Sequence, residues 1–259
     1  MCTVVCRWSA DSEFPVQMLA LRDELISREF DLPAPWWPDQ PDVIGGRDRQ
    51  AGGSWCVCDV RTGVTAVVLN RPERREAAAG APSRGVLPLL GVERGEQWPQ
   101  FIDVTGMAGF NLVIASPAGL RWWSFDGERL EDKALSAGTY MFTPGGLLRS
   151  GLDPRFGPDG AGFTGDLDAA TGQAWPDWLA VVESSVPSED PAQLLVRMPV
   201  PDRMDETFAD VFATVFGQFI ASRPGTLRLD HQVDPAAHGE WTTRTLHPGT
   251  DLSAAPARG

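Results

Sequence analysis

The chain has 259 residues, enough to bury one substantial core, and its 22 basic against 35 acidic side chains give a formal net charge of −13. That balance argues against a nucleic-acid partner, and no apolar run approaches the roughly 20 residues needed to cross a bilayer. The first ten residues carry Arg7 and Ser9 but no apolar block ending in a cleavable small-residue site, so a cytoplasmic protein is expected. A single domain is expected over residues 1–250, with 251–259 as a frayed tail.

Cys2 to Trp8 alternates, with Cys2, Val4, Cys6 and Trp8 on one face and Thr3, Val5 and Arg7 on the other, which predicts a strand. Phe14 to Ile26 stays open. Met18, Leu19, Leu21, Leu25 and Ile26 make a helical stripe, while Val16 to Arg22 reads equally well as a buried strand. Asp31 to Gln50, with its run Pro33-Ala34-Pro35-Trp36-Trp37-Pro38, reads as an ordered loop. Strands over Ser54–Val60 and Val64–Asn70 are joined at Arg61-Thr62-Gly63 into a hairpin. A helix can begin within Gly85–Gly91, and Phe110–Ser116 with Arg121–Phe125 forms a second hairpin. Ser150 to Gly172 lacks an apolar period and reads as a surface loop, and Trp175–Ser184 as a helix. Strands then follow at Phe212–Ala221, Thr226–Gln232 and Glu240–Leu246.

Cys2 and Cys6 are roughly 13 Å apart along an extended strand at about 3.3 Å per residue, too far to bridge. Neither they nor Cys56 and Cys58 show the C-x₂-C spacing of a zinc site, so Cys6, Cys56 and Cys58 read as small buried hydrophobes. His231, His238 and His247 lack ligand spacing and read as surface or loop residues. No metal centre is expected.

Position 2 is different. Removal of the initiator Met would leave Cys2 with a free α-amine beside its own thiol. An amine titrating near pH 8 is partly neutral at pH 7, so one residue supplies both nucleophile and base.

Seven short segments occur in order behind it: Met1-Cys2-Thr3-Val4-Val5, Leu21-Arg22-Asp23-Glu24, Gly46-Arg47-Asp48, Gly52-Gly53-Ser54-Trp55, Leu69-Asn70-Arg71, Ser83-Arg84-Gly85 and Gly109-Phe110-Asn111-Leu112. On these the chain resembles the NRDE family, the transport and Golgi organisation 2 proteins, over about residues 1–145. That family is similar to N-terminal nucleophile (Ntn) hydrolases such as bile salt hydrolases and penicillin V acylases. The resemblance implies an α+β fold, an Ntn-hydrolase-like αββα sandwich of two antiparallel sheets flanked by helices, and so a strand at Val16–Arg22 paired with the first. It implies Cys2 as nucleophile, Arg22 as a cation favouring the thiolate, Asp23 as anchor of the α-ammonium group and Asn70 as an oxyanion-hole donor. Trp55, Asn111 and Thr143 are the candidate binding residues. Taken singly, Arg22 with Asp23 is a surface ion pair, Asn70 with Arg71-Pro72 a turn, and Trp55 a packing residue.

The chain departs from the family at three places. Leu21 stands where the namesake motif has Asn, Thr143 where an Asn supports the oxyanion hole, and Val215 where the family has Arg, with Arg223 or Arg228 as replacements for that charge. The expected function is a cysteine hydrolase or acyltransferase acting on an amide or thioester of a small molecule, with no cofactor. The alternative is a non-enzymatic haem- or acyl-lipid-binding and trafficking protein using the same pocket, with haem as ligand.

Overall fold

The computed structural model describes residues 2–71, 77–148, 176–190, 193–200, 211–235 and 239–250. Along them the chain forms β1 (Thr3–Trp8), β2 (Val16–Leu25), β3 (Phe30–Ala34), β4 (Val43–Asp48), β5 (Cys56–Asp59), β6 (Val64–Asn70) and the helix α1 (Val86–Arg94). There follow β7 (Phe110–Ser116), β8 (Gly119–Phe125), β9 (Leu130–Leu135), β10 (Gly138–Thr143), β11 (Gly146–Leu148) and the helix α2 (Pro176–Ser184). The chain ends with β12 (Arg197–Pro199), β13 (Val211–Arg223), β14 (Thr226–Val233) and β15 (Thr242–Leu246). The expected state of Met1, the loop at 150–172, His238 and the tail at 251–259 lie outside the described residues.

The strands make two sheets. One runs β11-β10-β1-β2-β13-β14-β15, with β12 also on β13, and the other runs consecutively from β3 to β9. Every ladder in both is antiparallel.

Alternation along each strand sorts the core into three layers. Between the sheets lie Val4, Cys6, Val16, Met18, Ala20, Cys56, Cys58, Val67, Leu69, Phe142 and Phe216. On the outer face of the first sheet, Val5, Leu19, Leu21, Met141 and Phe219 pack under Trp178 and Val182 of α2. On the outer face of the second, Ala66, Val68, Leu112 and Ile114 pack under Leu87 and Val92 of α1. The order helix, sheet, sheet, helix is the expected αββα sandwich. Complete burial of a side chain such as Leu69 or Phe216 stabilises it by about 1.5–3 kcal/mol.

β2 settles the open segment. It pairs with β1, Thr3 opposite Leu21 and Trp8 opposite Val16, and both its faces are covered. A strand buried on two sides loses polar alternation, which is why Val16–Arg22 also carries a helical stripe. Leu21 belongs to the layer under α2, where an apolar side chain needs no hydrogen-bond partner.

Two expectations fail. The segment Asp31–Gln50 is not one loop, because β3 and β4 pair within it. Pro33 is tolerated because β3 is an edge strand with an irregular register between Asp31 and Ala34, and Gly46 because a Cβ there would overlap the Trp55 ring. His231 is not at the surface. It lies 3% exposed in β14, its ring 5.9 Å from that of Phe216, with Nδ1 buried and unpartnered among the described residues. Cys6, Cys56 and Cys58 are buried free thiols, as expected.

Candidate active site

The two sheets part at one end into a cavity of about 580 Å³. It is lined by Cys2, residues 22–25 with Ser27 and Arg28 from the end of β2 and beyond, Asp48 to Trp55 in part, Val68 and Asn70 of β6, and Ser83-Arg84-Gly85 ahead of α1. Of the four cysteines, Cys2 alone lines it, half-buried. Burial pushes Cys6 and Cys58 up to about 12, which leaves them inert.

Cys2 precedes β1 and continues the inner face of Val4 and Cys6, so its thiol points between the sheets. The thiol donates to the backbone carbonyl of Asp23 across 3.8 Å. Arg22 shares the inner face of β2 with Met18 and Ala20, and its guanidinium carbon lies 4.5 Å from the Trp55 ring centroid and 5.2 Å from that of Phe30. Its Nη2 lies 3.3 Å from Asp48 Oδ2 and 3.8 Å from Glu24 Oε2.

Asp48 is the hub of this wall. Its Oδ2 also accepts from Arg28 Nε at 2.7 Å, and its Oδ1 from the backbone N–H groups of Gln50 and Ala51 at 3.1 and 2.9 Å. Burial alone would raise its pKa, but the Arg28 hydrogen bond and the Ala51 N–H outweigh it and hold the carboxyl below the usual range.

Asp23, which also lines the cavity, is tied to the neighbouring strand β13. Its Oδ1 accepts from Thr214 Oγ1 at 2.7 Å, and that hydroxyl in turn accepts from Val196 N at 2.9 Å. A bulge in β13 lets neighbouring residues of β2 serve both sides, since Thr214 faces Asp23, Phe216 faces Arg22, and Val215 is the extra residue between them. Val215 therefore stands in a kink, half-buried against the inner core.

Arg22 acts on the thiol in the expected direction, lowering its pKa, but it does not decide the balance. The pKa of Cys2 is raised, first by burial and next by the Asp23 carboxylate, and the lowering effect of Arg22 is smaller than either. The raised pKa favours the protonated thiol.

Asn70 is exposed at the end of β6, on the cavity wall. Asn111 and Thr143 are not among the described lining residues. Asn111 is fully buried and ties the sheets together: its Nδ2 donates to the carbonyls of Thr143 and Pro144 at 3.3 and 3.1 Å, and its Oδ1 accepts from Trp122 Nε1 at 3.1 Å. Neither replacement for the missing cation reaches the cavity. Arg223 pairs with Glu13 at 3.1 Å, and Arg228 lies 3.6 Å from Asp230.

A third cation lining it, beside Arg22 and Arg28, is Arg84, whose motif is among the ordered segments but for which no role was expected. Gly53 explains its placement. A Cβ on Gly53 would meet Gly85 backbone at 2.5 Å, and Ser54 N donates to Gly85 O at 2.9 Å, so the two glycine motifs close on each other beside Trp55. Arg84 is anchored by Nη1 on the Gly109 carbonyl at 3.0 Å. Glu24, Arg28 and Asp48 were missed as well.

The family model for Transport and Golgi organisation 2 matches residues 1–149, more than half of the chain and every described lining residue. The chain belongs to the Transport and Golgi organisation 2 family. Solved structures similar to this family member include a C2A mutant of conjugated bile acid hydrolase from Clostridium perfringens, at 11% identity, TM-score 0.47 and coverage of 100% of this chain and 96% of that one. Another is penicillin V acylase from Agrobacterium tumefaciens, at 11% identity, TM-score 0.43 and coverage of 96% and 92%. Neither likeness bears on residue roles, and the layered fold rests on the strand pairing and core packing above. No curated protein matches the chain.

Proposed function

We propose that this Transport and Golgi organisation 2 family member is an N-terminal cysteine hydrolase or acyltransferase acting on a small amide or thioester. The observation that carries the reading is that Cys2, alone among the cysteines, opens onto a large cavity furnished with arginines, carboxylates and an exposed Asn.

In this mechanism the Met-free Cys2 passes its thiol proton to its own α-amine, and the thiolate attacks the acyl carbonyl. A thiol whose pKa burial and Asp23 raise supports the need for such a base. The Asp23 carboxylate, fixed by Thr214, orients the ammonium group. Asn70 donates to the oxyanion of the tetrahedral intermediate, a contact worth about 3 kcal/mol in such sites. As the intermediate collapses, the ammonium returns its proton to the departing amine or thiol, leaving the acyl group on Cys2. Water or a second amine then attacks the acyl-enzyme and frees the thiol. The described lining carries six charged side chains, with Leu25, Trp55 and Val68 as its large apolar ones, which favours a polar acyl substrate over the flat apolar ligand of a haem carrier.

Intact mass after incubation with an electrophilic acyl probe tests the reading. The expected result is a Met-free chain with one adduct, absent in Cys2→Ala. A chain that retains Met1, or that reacts equally well without Cys2, refutes it.

A further inference from the structure

The cavity holds an unused donor beside the nucleophile. Arg22 is 4% exposed and pinned by Trp55 and Phe30, yet its Nη1 is buried with no hydrogen-bond partner among the described residues. A desolvated guanidinium N–H without an acceptor is costly, and a ligand that supplies one recovers that cost. Arg84 lines the same cavity, and its one described hydrogen bond, to the Gly109 carbonyl, comes from Nη1.

Charge counting narrows the ligand. The described lining carries Arg22, Arg28 and Arg84 against Asp23, Glu24 and Asp48, which cancel. The α-amine and thiol of a Met-free Cys2 add no net charge in the reactive state, whether as amine and thiol or as ammonium and thiolate. The site therefore has no surplus of positive charge to meet a dianion, and one unpartnered guanidinium N–H to meet a single charged acceptor. A monoanion such as a carboxylate fits that balance better than a dianionic phosphate.

We propose that the cavity recognises a carboxylate on its acyl substrate, held between Arg22 Nη1 and Arg84 while Cys2 attacks a nearby carbonyl. The proposal rests on Cys2 being the nucleophile. It assigns Arg84 to substrate selection, which separates it from Arg28, whose Nε is committed to Asp48.

Two thiol alkylators of nearly equal size test it, iodoacetate with a carboxylate and iodoacetamide with a neutral amide. The quantity read is the ratio of their rates at Cys2, compared with the same ratio for an unstructured Cys-Thr-Val peptide. The ratio in the protein should exceed that of the peptide by about tenfold, the effect of one charge-assisted hydrogen bond. Arg84→Met should bring it down towards the peptide value, and Arg84→Lys should restore part of it, whatever either change does to the separate rates. Acetate should protect Cys2 from iodoacetate at lower concentration than inorganic phosphate. A ratio equal to the peptide's, or one indifferent to Arg84→Met, overturns the proposal while leaving Cys2 as nucleophile. Stronger protection by phosphate overturns the choice of a monoanion. Failure of both reagents at Cys2 refutes the underlying hydrolase reading instead.

Discussion

The guanidinium of Arg22 stacks on the indole of Trp55 at 4.5 Å, and the far edge of that indole lies over Gly46, so this lining side chain is held in place by a missing one. Gly46→Ala puts a methyl group into the ring. Trp55 must then shift and Arg22 with it. The expected outcome is a loss of about 1–3 kcal/mol in stability from overpacking, read as a lower denaturation midpoint, together with slower alkylation of Cys2. Unchanged alkylation in a destabilised variant would mean that Arg22 is not positioned through Trp55.

The thiol responds to charges of both signs. Burial and then Asp23 raise the Cys2 pKa, while the N-terminal ammonium group and, to a smaller degree, Arg22 lower it, so the midpoint of alkylation rate against pH reports their balance. Asp23→Asn should move that midpoint down, and Arg22→Leu should move it up and slow the reaction at pH 7. The measurement is a pH series of alkylation rates on chains shown by mass to be Met-free. Midpoints that coincide in all three proteins would remove both charges from the argument.

Asp48 carries a pH signature of its own. Its folded pKa lies below the unfolded value, so its contribution to stability is present above the unfolded carboxylate pKa of about 4 and is lost as pH falls through the lower folded value. Asp48→Asn should destabilise the protein at pH 7 by about 2–3 kcal/mol, through loss of its charged acceptor for Arg22 and Arg28. The same change should flatten the acid limb below pH 4. Urea titrations at pH 3, 4 and 7 decide it.

His231 acts over a different window. Burial, and to a smaller degree Arg244, lowers its pKa to about 4, so between roughly pH 6.5 and 4 the unfolded chain binds a proton that the folded one refuses. Stability should fall across that interval by up to about 3 kcal/mol and level off below it. His231→Phe, which keeps the stack on Phe216, should erase the slope. A slope that survives the substitution assigns it to other groups.

The sequence was most readable where one face of an element meets water or a turn interrupts it. The β5–β6 hairpin shows itself because Gly63 turns the chain at positive φ between two short apolar runs. β2 does not, since covering on both faces removes its alternation, and β3 with β4 is hidden by Pro33 and Gly46, which are tolerated for reasons of edge position and close approach. At the site, Cys2, Arg22, Asp23, Trp55 and Asn70 come together as the ordered motifs suggested. Asn111 had another signal that went unread. An Asn flanked along the strand by Phe110, Leu112 and Val113 is a buried polar group that must find partners, and here it finds them on the opposite sheet. Glu24, Arg28, Asp48 and Arg84 could not be found by spacing, because their meeting depends on how the end of β2 faces two loops of the other sheet.

The order of the strands has a consequence for how the molecule is made. The second sheet is a meander of consecutive strands from Phe30 to Leu135, each able to pair with its predecessor soon after synthesis. The first sheet takes β1 and β2 from the start of the chain and then waits for β10, and for β13, which adds along β2 from Leu25 to Val16. Every described lining residue has been translated by Gly85, yet Thr214, which fixes Asp23, arrives more than a hundred residues later. The cavity lining is thus made early and completed late, and a nascent chain halted after the region matched by the family model would carry every described lining residue without β13 and the Thr214 that fixes Asp23.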